Sequence, residues 1–277
     1  MTFSIVGRSA DGRLHGVAVA SKFLAAGALV PAAEASLGAV ATQAHLNLSY
    51  RPRGLDLLRE GRSAAETVAA LVSGDGERDH RQVGVVGPAG DGAAFTGAGC
   101  HDWAGHLTGD GFAVQGNILA GPRVLDAMRD AWLDPAAASL RFAERLLRAL
   151  AAGDRAGGDR RGRQSAGLYV VEKGGGYGGT GDVLVDLRAD DHPDPVAELS
   201  RLLGIHTMLF EKPDPATLLD LTADLAAEVT GRLVTLGHPV TTTLDDALAS
   251  WAGIENLEER LVPGRIDPLV LAHLRAL

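Results

Sequence analysis

The sequence is poor in several residue types, and each shortage excludes a class of protein. Cys100 is its one cysteine, which excludes an internal disulfide and a cysteine-based zinc site. No run of about 18 apolar residues occurs, so a membrane-spanning helix is not expected. Arg8, Asp11 and Arg13 interrupt the apolar stretch that a secretory signal would need near the N-terminus. We therefore expect a soluble cytoplasmic protein with no membrane partner.

Positive charge is also scarce. The 277 residues include 26 lysines and arginines against 35 aspartates and glutamates, which gives a net charge of -9 at pH 7. Because an acidic surface repels phosphate, no nucleic-acid partner is expected. Arg160, Arg161 and Arg163 form the densest basic cluster, and its Gly/Asp/Arg surroundings over residues 153–162 are typical of a solvated loop.

Aromatic residues make up only 4% of the chain, while alanine and glycine are abundant, which favours tightly packed layers and many turns. Hydrophobic residues account for 46% and charged residues for 22%, which is typical of a globular protein. The length suits one large domain or two domains of unequal size.

Short apolar runs predict a sheet-rich first part of the chain. Residues 3–7 and 15–20 flank the turn signal Asp11-Gly12, so we predict a hairpin there. The runs are nearly continuous in small apolar residues, as in sheets that are covered on both faces. Further strands are predicted at residues 37–44, 82–86, 93–96, 111–115, 166–172 and 183–187.

Helical periodicity separates these runs. Residues 54–71 predict a helix with a break at Gly61, and Ser63 with Glu66 has the form of a capping box that starts a second helix. Residues 122–151 predict a long helix that is interrupted at Asp134-Pro135. This order of elements predicts an α+β domain in which helices pack on antiparallel sheet.

The composition changes near His192, where we place a domain boundary between residues 1–192 and 193–277. The second part is predicted to be a small all-helical domain. Asp-Pro pairs, which place an N-cap residue before a first-turn proline, predict helix starts at 194–195, 214–215 and 267–268.

Several segments together resemble a known family. They are TFSIVGRS at 2–9, GVAVASKFLAAGALVP at 16–31, GAVATQAHLNLSYRPRGLDLL at 38–58, RQVGVV at 81–86, TGAGCHDWAGH at 96–106, VQGNILAG at 114–121, GGGYGGTGDVLVDLRADDHPDPVAEL at 174–199 and ALASWAGIENLEERL at 247–261. This set resembles the DUF1028 family, whose fold belongs to the N-terminal nucleophile (Ntn) hydrolase superfamily. The resemblance implies a four-layer αββα sandwich, followed by a helical module that resembles a peptidoglycan-binding domain.

The resemblance also implies a nucleophile at the N-terminus. Ntn hydrolases attack an amide with the side chain of their first residue and use its free α-amine as the base. Removal of Met1 would leave Thr2 in this position, at the start of a strand. The alternative is that Met1 stays and that Thr2 is an ordinary β-branched strand residue.

Two further residues are predicted to be catalytic. Lys22 follows the second strand, where the hairpin returns beside Thr2, and its ammonium would lower the pKa of the N-terminal amine. The alternative for Lys22 is a solvated surface lysine. Asn117 follows a strand within the VQGN segment and is predicted to donate to an oxyanion, with backbone capping as the alternative.

Four residues are predicted to bind substrate. Ser21 is expected to donate a hydrogen bond at the nucleophile, while the amides of Gln43 and Asn47 are expected to bind a substrate amide. Tyr177 lies in the glycine-rich run 174–181, which is predicted to shape the mouth of the site. The alternative for the first three is local capping of the backbone.

No cofactor is expected. The run 174–181 contains G-x-G-x-x-G twice, but a strand follows it where a dinucleotide site needs a helix. Cys100, His101 and His106 do not have zinc spacing. Asp190, Asp191 and His192 end an acidic cluster that suits either a divalent cation or a hydrogen-bonded junction, and we expect the junction.

These observations predict a hydrolase that cleaves a non-peptide amide or related C–N bond of a small molecule through an ester on Thr2. One alternative is a non-catalytic protein that binds a ligand or glycan on the same scaffold. Another is a metal-assisted hydrolase that uses Asp190, Asp191 and His192. The Ala/Leu-rich helical tail favours a homo-oligomer, and Trp251 in that tail is expected to lie in a helical core.

Overall fold

The computed structural model describes residues 2–277, and Met1 lies outside the described residues. Contacts between Cα atoms divide the chain into two compact units, one ending at Leu202 and the other comprising Leu203–Leu277. Within the described range, no helix combines the length and apolar character needed to cross a bilayer.

The first unit contains two antiparallel sheets. The larger sheet has the strand order β10-β9-β2-β1-β8-β7, and the smaller has the order β3-β4-β5-β6. The strands are β1 (Thr2–Arg8), β2 (Leu14–Ser21), β3 (Pro31–Glu34), β4 (Gly38–Ala44), β5 (Arg81–Val86), β6 (Gly92–Thr96), β7 (Gly105–Gly109), β8 (Phe112–Asn117), β9 (Ser165–Glu172) and β10 (Val183–Ala189).

The predicted hairpin is confirmed. β1 and β2 pair with Phe3 opposite Ala20, and Gly12 in the connecting turn has a φ of 77°, which glycine adopts without strain. Two strands, β3 and β7, are absent from the prediction. Both lie at sheet edges, and their sequences PAAE and GHLTG have low strand propensity, so their pairing depends on the neighbouring strand.

The first unit also contains the helices α1 (Ala26–Leu29), α2 (Tyr50–Arg59), α3 (Ala64–Ser73), α4 (Arg123–Leu133) and α5 (Phe142–Arg155). The predicted break at Gly61 is confirmed, and Ser63 caps α3 by accepting a hydrogen bond from the Glu66 backbone. The interruption at Asp134-Pro135 is also confirmed, because a 3-10 turn begins at Pro135 between α4 and α5.

Packing connects these elements. Helix α5 contacts β1 and β2, α2 contacts β4, and β1 of the larger sheet contacts β4 of the smaller. The residues buried between the sheets are small and apolar: Val6, Val17, Val19, Ala26, Val30, Ala39, Ala41, Val86 and Ala113. The first unit is therefore a mixed α and β structure with antiparallel sheets, as predicted.

The second unit is mainly helical, but the prediction of an all-helical domain is wrong because one pair of short strands is present. It contains α7 (Ala223–Thr235), α8 (Leu244–Glu255) and α9 (Pro268–Ala276), and the short strands β11 (Leu219–Asp220) and β12 (Arg265–Ile266) pair with each other. Trp251 is only 1% exposed and lies in the core of this unit, as expected.

Two of the three predicted Asp-Pro helix starts are confirmed. Helix α6 (Pro195–Phe210) begins at Pro195, and α9 begins at Pro268, where Asp267 accepts a hydrogen bond from the Leu269 backbone. The start predicted at Asp214 is wrong. Its carboxylate caps a single turn by accepting from Ala216, and β11 follows within a few residues.

Candidate active site

Thr2 lies at the amino end of a central strand of the larger sheet. It is directly opposite Asn117 of β8, and the pairing of Phe3 with Ala20 places Ser21 on its other side. The Oγ1 atom of Thr2 is 3.1 Å from the Oγ of Ser21, and Thr2 is 7% exposed. The hairpin predicted from the turn signal therefore brings two hydroxyl groups together.

A cavity of about 60 Å³ adjoins these hydroxyls. The cavity therefore has room for only a small group. Thr2 and Ser21 supply the hydroxyl groups of its lining, and the remaining wall is apolar: Phe23, Ala26, Leu29, Val30, Ala44 and Leu46. Phe23 is 52% exposed, so apolar surface continues from the cavity to the solvent.

Ser165 fixes one wall of this cavity. It is fully buried on β9 directly opposite Ser21, and its hydroxyl donates to the carbonyl of Phe23 at 2.5 Å. The same oxygen accepts a hydrogen bond from the backbone of Ala26 at 3.0 Å. The chain that turns from β2 into α1 is therefore held on the sheet by one buried hydroxyl.

Buried polar side chains connect Thr2 to the opposite sheet. We call Ser4, Gln43, Gln82, Gln115 and Asn117 the inter-sheet amide network. Gln43 Nε2 lies 3.2 Å from the carbonyl oxygen of Thr2, to which it donates, and Gln43 Oε1 accepts from Ser4 Oγ at 2.6 Å. Gln43 thus holds the Thr2 backbone, and its amide nitrogen also donates to Gln82 and to the Gln115 carbonyl. Its contact with a substrate amide stays a prediction.

Gln82 is the centre of this network. Its Oε1 accepts from Gln43 Nε2 at 2.8 Å and from Asn117 Nδ2 at 2.9 Å. Its Nε2 donates to the Gly116 carbonyl and to Thr96 Oγ1, each at 2.8 Å. Both polar atoms of a fully buried side chain are therefore paired, and they join β5 to β4, β6 and β8.

The network reaches the edge of the larger sheet. Thr96 Oγ1 is 2.9 Å from Nδ1 of His106 on β7. Burial lowers the pKa of His106, so its imidazole is neutral at pH 7. A continuous series of hydrogen bonds therefore runs from the Thr2 carbonyl through Gln43, Gln82 and Thr96 to this imidazole.

Asn117 keeps one unused hydrogen-bond donor. A side-chain amide nitrogen carries two hydrogens, and Gln82 receives one of them. Among the residues that the structure describes, none accepts the second. Asn117 lies opposite Thr2 in the sheet and is only 2% exposed.

Lys22 adjoins Ser21, but its ammonium is engaged elsewhere. Its Nζ donates to the Arg163 carbonyl at 3.2 Å, and its backbone N–H donates to Asp159 Oδ2 at 2.7 Å. Asp159 is 8% exposed and also forms an ion pair of 3.3 Å with Arg161. The segment predicted as a solvated loop therefore contributes a buried carboxylate beside the site, and Arg161 is not simply solvated.

Asn47 is used within its own part of the fold. Its Nδ2 donates to Asp75 Oδ2 at 2.9 Å, and its Oδ1 accepts from the Ser49 hydroxyl at 2.6 Å. Tyr50 and Arg81 also donate to the same Asp75 oxygen. These hydrogen bonds hold the pKa of Asp75 well below its usual range, that from Asn47 having the largest effect. The structure therefore gives Asn47 a structural role instead of the predicted contact with substrate.

Tyr177 lies at the other end of the sheet from Thr2. β9 begins at Ser165, beside Ser21 and Thr2, and ends at Glu172, after which the glycine-rich loop with Tyr177 follows. Seven steps of about 3.3 Å separate the two ends of this strand. The structure does not bring Tyr177 to the site, because the strand direction places its loop more than 20 Å away, by this estimate.

The acidic cluster near residue 190 forms a junction. Asp191 Oδ1 accepts from Gln164 Nε2, His192 Nδ1 accepts from the Asp194 backbone, and the Asp190 carbonyl accepts from Ala25. Across residues 2–277, the structure contains no group of three or more His, Cys, Asp or Glu side chains placed to hold a metal ion. The hydrogen-bonded junction that we expected describes this cluster.

Sequence reasoning missed four residues of the site region: Ser4, Gln82, Gln115 and Thr96. Each lies in a strand that is otherwise made largely of glycine and apolar residues. A polar side chain inside such a run is the signal that could have identified them, because buried polar groups need partners.

Comparisons with known proteins agree with this architecture. Residues 2–199 match the model "Family of unknown function (DUF1028)", and residues 209–274 match "Putative peptidoglycan binding domain". The crystal structure of protein SPO2555 from Silicibacter pomeroyi, which also carries the DUF1028 family model, is similar with a TM-score of 0.67 and 31% identity. The similarity covers 74% of this chain and 86% of that one. A search of curated proteins finds no match. The chain therefore belongs to the DUF1028 family, and a peptidoglycan-binding-like domain forms its C-terminal part.

Proposed function

We propose that the first unit is a four-layer αββα sandwich of the Ntn-hydrolase type and that it hydrolyses a non-peptide amide or related C–N bond of a small molecule. One observation carries this proposal. The Thr2 hydroxyl, at the amino end of a central strand, is 3.1 Å from the Ser21 hydroxyl and faces a cavity. A nucleophile in this position has its own α-amine within the same residue, once Met1 is removed.

The proposed reaction has two halves. In the first, Thr2 Oγ1 bonds to the substrate carbonyl carbon while its proton passes to the α-amine, and the C–N bond then breaks as that proton moves to the leaving nitrogen. In the second, water attacks the resulting ester, which releases a carboxylic acid and restores the Thr2 hydroxyl. An α-amine has a pKa of about 7.7 to 8, which suits both proton transfers near neutral pH.

Neighbouring residues have distinct roles in this proposal. Ser21 Oγ orients the nucleophile through its hydrogen bond, and Gln43 holds the Thr2 carbonyl so that the amine keeps one position. The free N–H of Asn117 is assigned to the developing oxyanion. In the structure, the Lys22 ammonium donates to the Arg163 carbonyl. Its role as an electrostatic partner of the N-terminal amine stays a prediction.

The first test compares two substitutions of Thr2. Thr2→Ser keeps the hydroxyl, and Thr2→Val keeps the β-branched shape but replaces the hydroxyl with a methyl group. Intact mass should show loss of one methionine from the wild type and both variants. With a panel of small anilides, we expect the wild type and T2S to release amine and form a covalent acyl adduct. We expect T2V to lose at least about a thousandfold in rate.

The wild-type protein isolated with Met1 in place would refute the N-terminal mechanism, because no free amine would then exist at Thr2. Full activity of T2V would refute the assignment of Thr2 as the nucleophile. A fall with Ser21→Ala that is smaller than that with T2V would support the orienting role of Ser21.

A second candidate function belongs to the C-terminal part. The match of residues 209–274 to a peptidoglycan-binding model favours glycan or peptide binding there. Trp251 cannot supply a stacking face, because it is only 1% exposed. Cosedimentation of the whole protein with insoluble peptidoglycan, with cellulose as the control polymer, tests this role. Equal binding by T2V and the wild type would show that this binding does not depend on the proposed nucleophile.

A further inference from the structure

A second and larger cavity lies in the first unit, next to α1. Its volume is about 350 Å³, and its polar lining consists of Arg51, Tyr169, Asp186 and Arg188. The rest of the lining is glycine, alanine and proline. Short side chains therefore leave the space open, and a few long polar ones determine what it can hold.

The position of the cavity follows from the sheet register. Val17, one of the small apolar residues packed between the two sheets, is opposite Tyr169, and Tyr169 is opposite Asp186 on the edge strand β10. Cross-strand neighbours share a face, so the inward face changes from valine to tyrosine and then to aspartate towards this edge. The cavity is where the apolar packing between the sheets ends.

The absence of a side chain at Gly27 allows α1 to pack closely against Arg188, which lines this cavity. A Cβ atom at Gly27 would lie 2.8 Å from Cγ of Arg188 and 2.9 Å from the Cα of Gly167. Those distances are shorter than van der Waals contact, so α1 packs against the stem of Arg188 only because residue 27 is glycine. The guanidinium is thereby directed along the cavity wall.

Arg51 brings a positive charge without a carboxylate partner. Its Nη1 donates to the carbonyls of Ala28 at 3.0 Å and Leu29 at 3.4 Å, which fixes the guanidinium at the end of α1. Among residues 2–277, no carboxylate lies within ion-pair distance of Arg51. A guanidinium has five N–H donors, so Nε and Nη2 remain for a ligand.

The remaining polar groups set the charge of the ligand. Arg188 Nε is 3.3 Å from Asp186 Oδ1, so this carboxylate offsets one of the two guanidinium charges. The cavity therefore keeps one excess positive charge in a protein whose net charge is -9. The Tyr169 hydroxyl lines the same space, and no described residue forms a hydrogen bond with it.

We propose that this cavity binds a small organic monocarboxylate, with Arg51 and Arg188 on the carboxylate and the Tyr169 hydroxyl as a third donor. Guanidinium groups match the planar geometry of a carboxylate and bind it through paired hydrogen bonds. Asp186 disfavours a dianion, because a second negative charge would lie beside its own.

The test is isothermal titration calorimetry with benzoate and, separately, inorganic phosphate, at an ionic strength held constant with sodium chloride. We expect saturable benzoate binding with a millimolar or lower Kd, and weaker binding of phosphate. Arg188→Gln and Tyr169→Phe should each weaken benzoate binding, the first by about tenfold. Asp186→Asn should strengthen the binding of both anions, because it removes the opposing charge.

The matched control is Arg53→Gln. Arg53 is on the same helix as Arg51, is exposed, and does not line the cavity. Equal weakening by R53Q and R188Q would mean that benzoate responds to surface charge, which contradicts the proposal. Absence of saturable benzoate binding to the wild type contradicts it too, as does tighter binding of phosphate than of benzoate.

A second readout locates the ligand. Benzoate should shift the backbone amide resonances of Gly27, Ala28 and Gly167 in T2V as well as in the wild type. Shifts confined to residues around Thr2 would place the anion in the other cavity and overturn this assignment. Because T2V lacks the proposed nucleophile, this result is independent of whether the protein is a hydrolase.

Discussion

Gln82 determines how the two sheets of the first unit meet at the Thr2 end. Valine and alanine fill much of the space between the sheets, and such small apolar side chains give few directional contacts. Gln82 instead pairs with Gln43 of the same sheet and with Asn117 of the opposite one. Directional hydrogen bonds therefore fix the position of β8 relative to β5 where packing alone would not.

Replacing Gln82 should destabilise the protein strongly. Gln82→Met keeps the volume but removes the acceptor of the Asn117 amide, whereas Gln43 keeps the Thr2 and Gln115 carbonyls as acceptors. The buried Asn117 donor is then left without this partner, so we expect the free energy of unfolding to fall by about 1 to 3 kcal/mol. Urea denaturation measures this change.

Gln164→Met is the matched control, because the side chain of Gln164 forms its hydrogen bond with Asp191 at the surface. We expect a change below about 0.5 kcal/mol for this variant. If Q82M were as stable as Q164M, the network would contribute no net stability.

For individual residues, the sequence predicted part of the site. The Asp11-Gly12 turn was enough to place Ser21 beside Thr2, because a hairpin register follows from its turn. The partners of Gln43 could not be predicted, since Gln82 and Gln115 lie on strands far along the chain. Tyr177 was assigned to the site by composition, and the direction of β9 places it at the opposite end.

Secondary-structure elements with a local signal form as their sequences predict. The capping box at Ser63 and the Asp-Pro pair at Asp267 each satisfy helix N–H groups within a few residues, so no distant contact is needed. Asp214-Pro215 has the same signal but starts only a turn, because β11 follows too soon. Edge strands β3 and β7 show the opposite case, in which a neighbour imposes the structure.

Asp267 connects the capping of α9 to the core of the second unit. Its Oδ1 caps the helix, while Oδ2 accepts from Arg260 Nε at 2.7 Å. Arg260 also donates to the carbonyls of Thr207 and Glu211 at the end of α6, and it is 5% exposed. One buried ion pair therefore joins two helix ends.

Asp267→Asn should destabilise the second unit. It removes the negative charge and leaves the buried Arg260 guanidinium without its counter-ion, at a cost of about 3 to 5 kcal/mol. Thermal unfolding followed by the fluorescence of Trp251, with the other tryptophans replaced by phenylalanine, measures this change. Asp220→Asn, at an exposed ion pair with Arg265, should shift the midpoint little. A D267N midpoint equal to that of D220N would contradict this assignment.

The stability of the whole molecule should depend on pH through His15. This residue is fully buried on β2, and neither ring nitrogen has a hydrogen-bond partner among the described residues. Burial, with a smaller effect of Arg8, lowers the pKa of His15 to about 4 from an ordinary value of 6.5. The folded protein therefore keeps this imidazole neutral where the unfolded chain protonates it.

The direction of this pH dependence follows from the number of protons that each state binds. Between pH 6.5 and 4 the unfolded state binds one more proton at His15 than the folded state, so the free energy of unfolding falls as the pH falls. The full loss is about 3 kcal/mol. The lowered pKa of His106 acts in the same direction. Urea denaturation at several pH values in this window measures the slope.

His15→Leu should flatten this dependence, because the variant has no group to protonate at that position. His101→Leu, at an exposed histidine, should leave the slope of the wild type unchanged. An identical slope in the H15L variant and the wild type would show that His15 is not responsible.

The arrangement of the whole sheet was beyond prediction from the sequence. Apolar runs indicate where the strands are, but they do not indicate which strands pair. The pairing of β2 with β9 places Ser21 opposite Ser165, which lies far from it in the sequence. No local pattern selects that partner over another strand of similar composition. The four-layer arrangement was expected only through the family resemblance, whereas helices packed on antiparallel sheet were predicted from the order of strands and helices.

The strand order also determines when the Thr2 end of the molecule is completed during synthesis. β2 follows β1 directly in the sequence, but the other neighbour of β1, β8, begins about a hundred residues later. At roughly 5 to 20 residues per second, a ribosome needs about 5 to 20 seconds to add that stretch. Thr2 is nearly buried in the finished fold. The proposed reaction requires removal of Met1, and we expect that removal to take place on the nascent chain, before β8 pairs with β1.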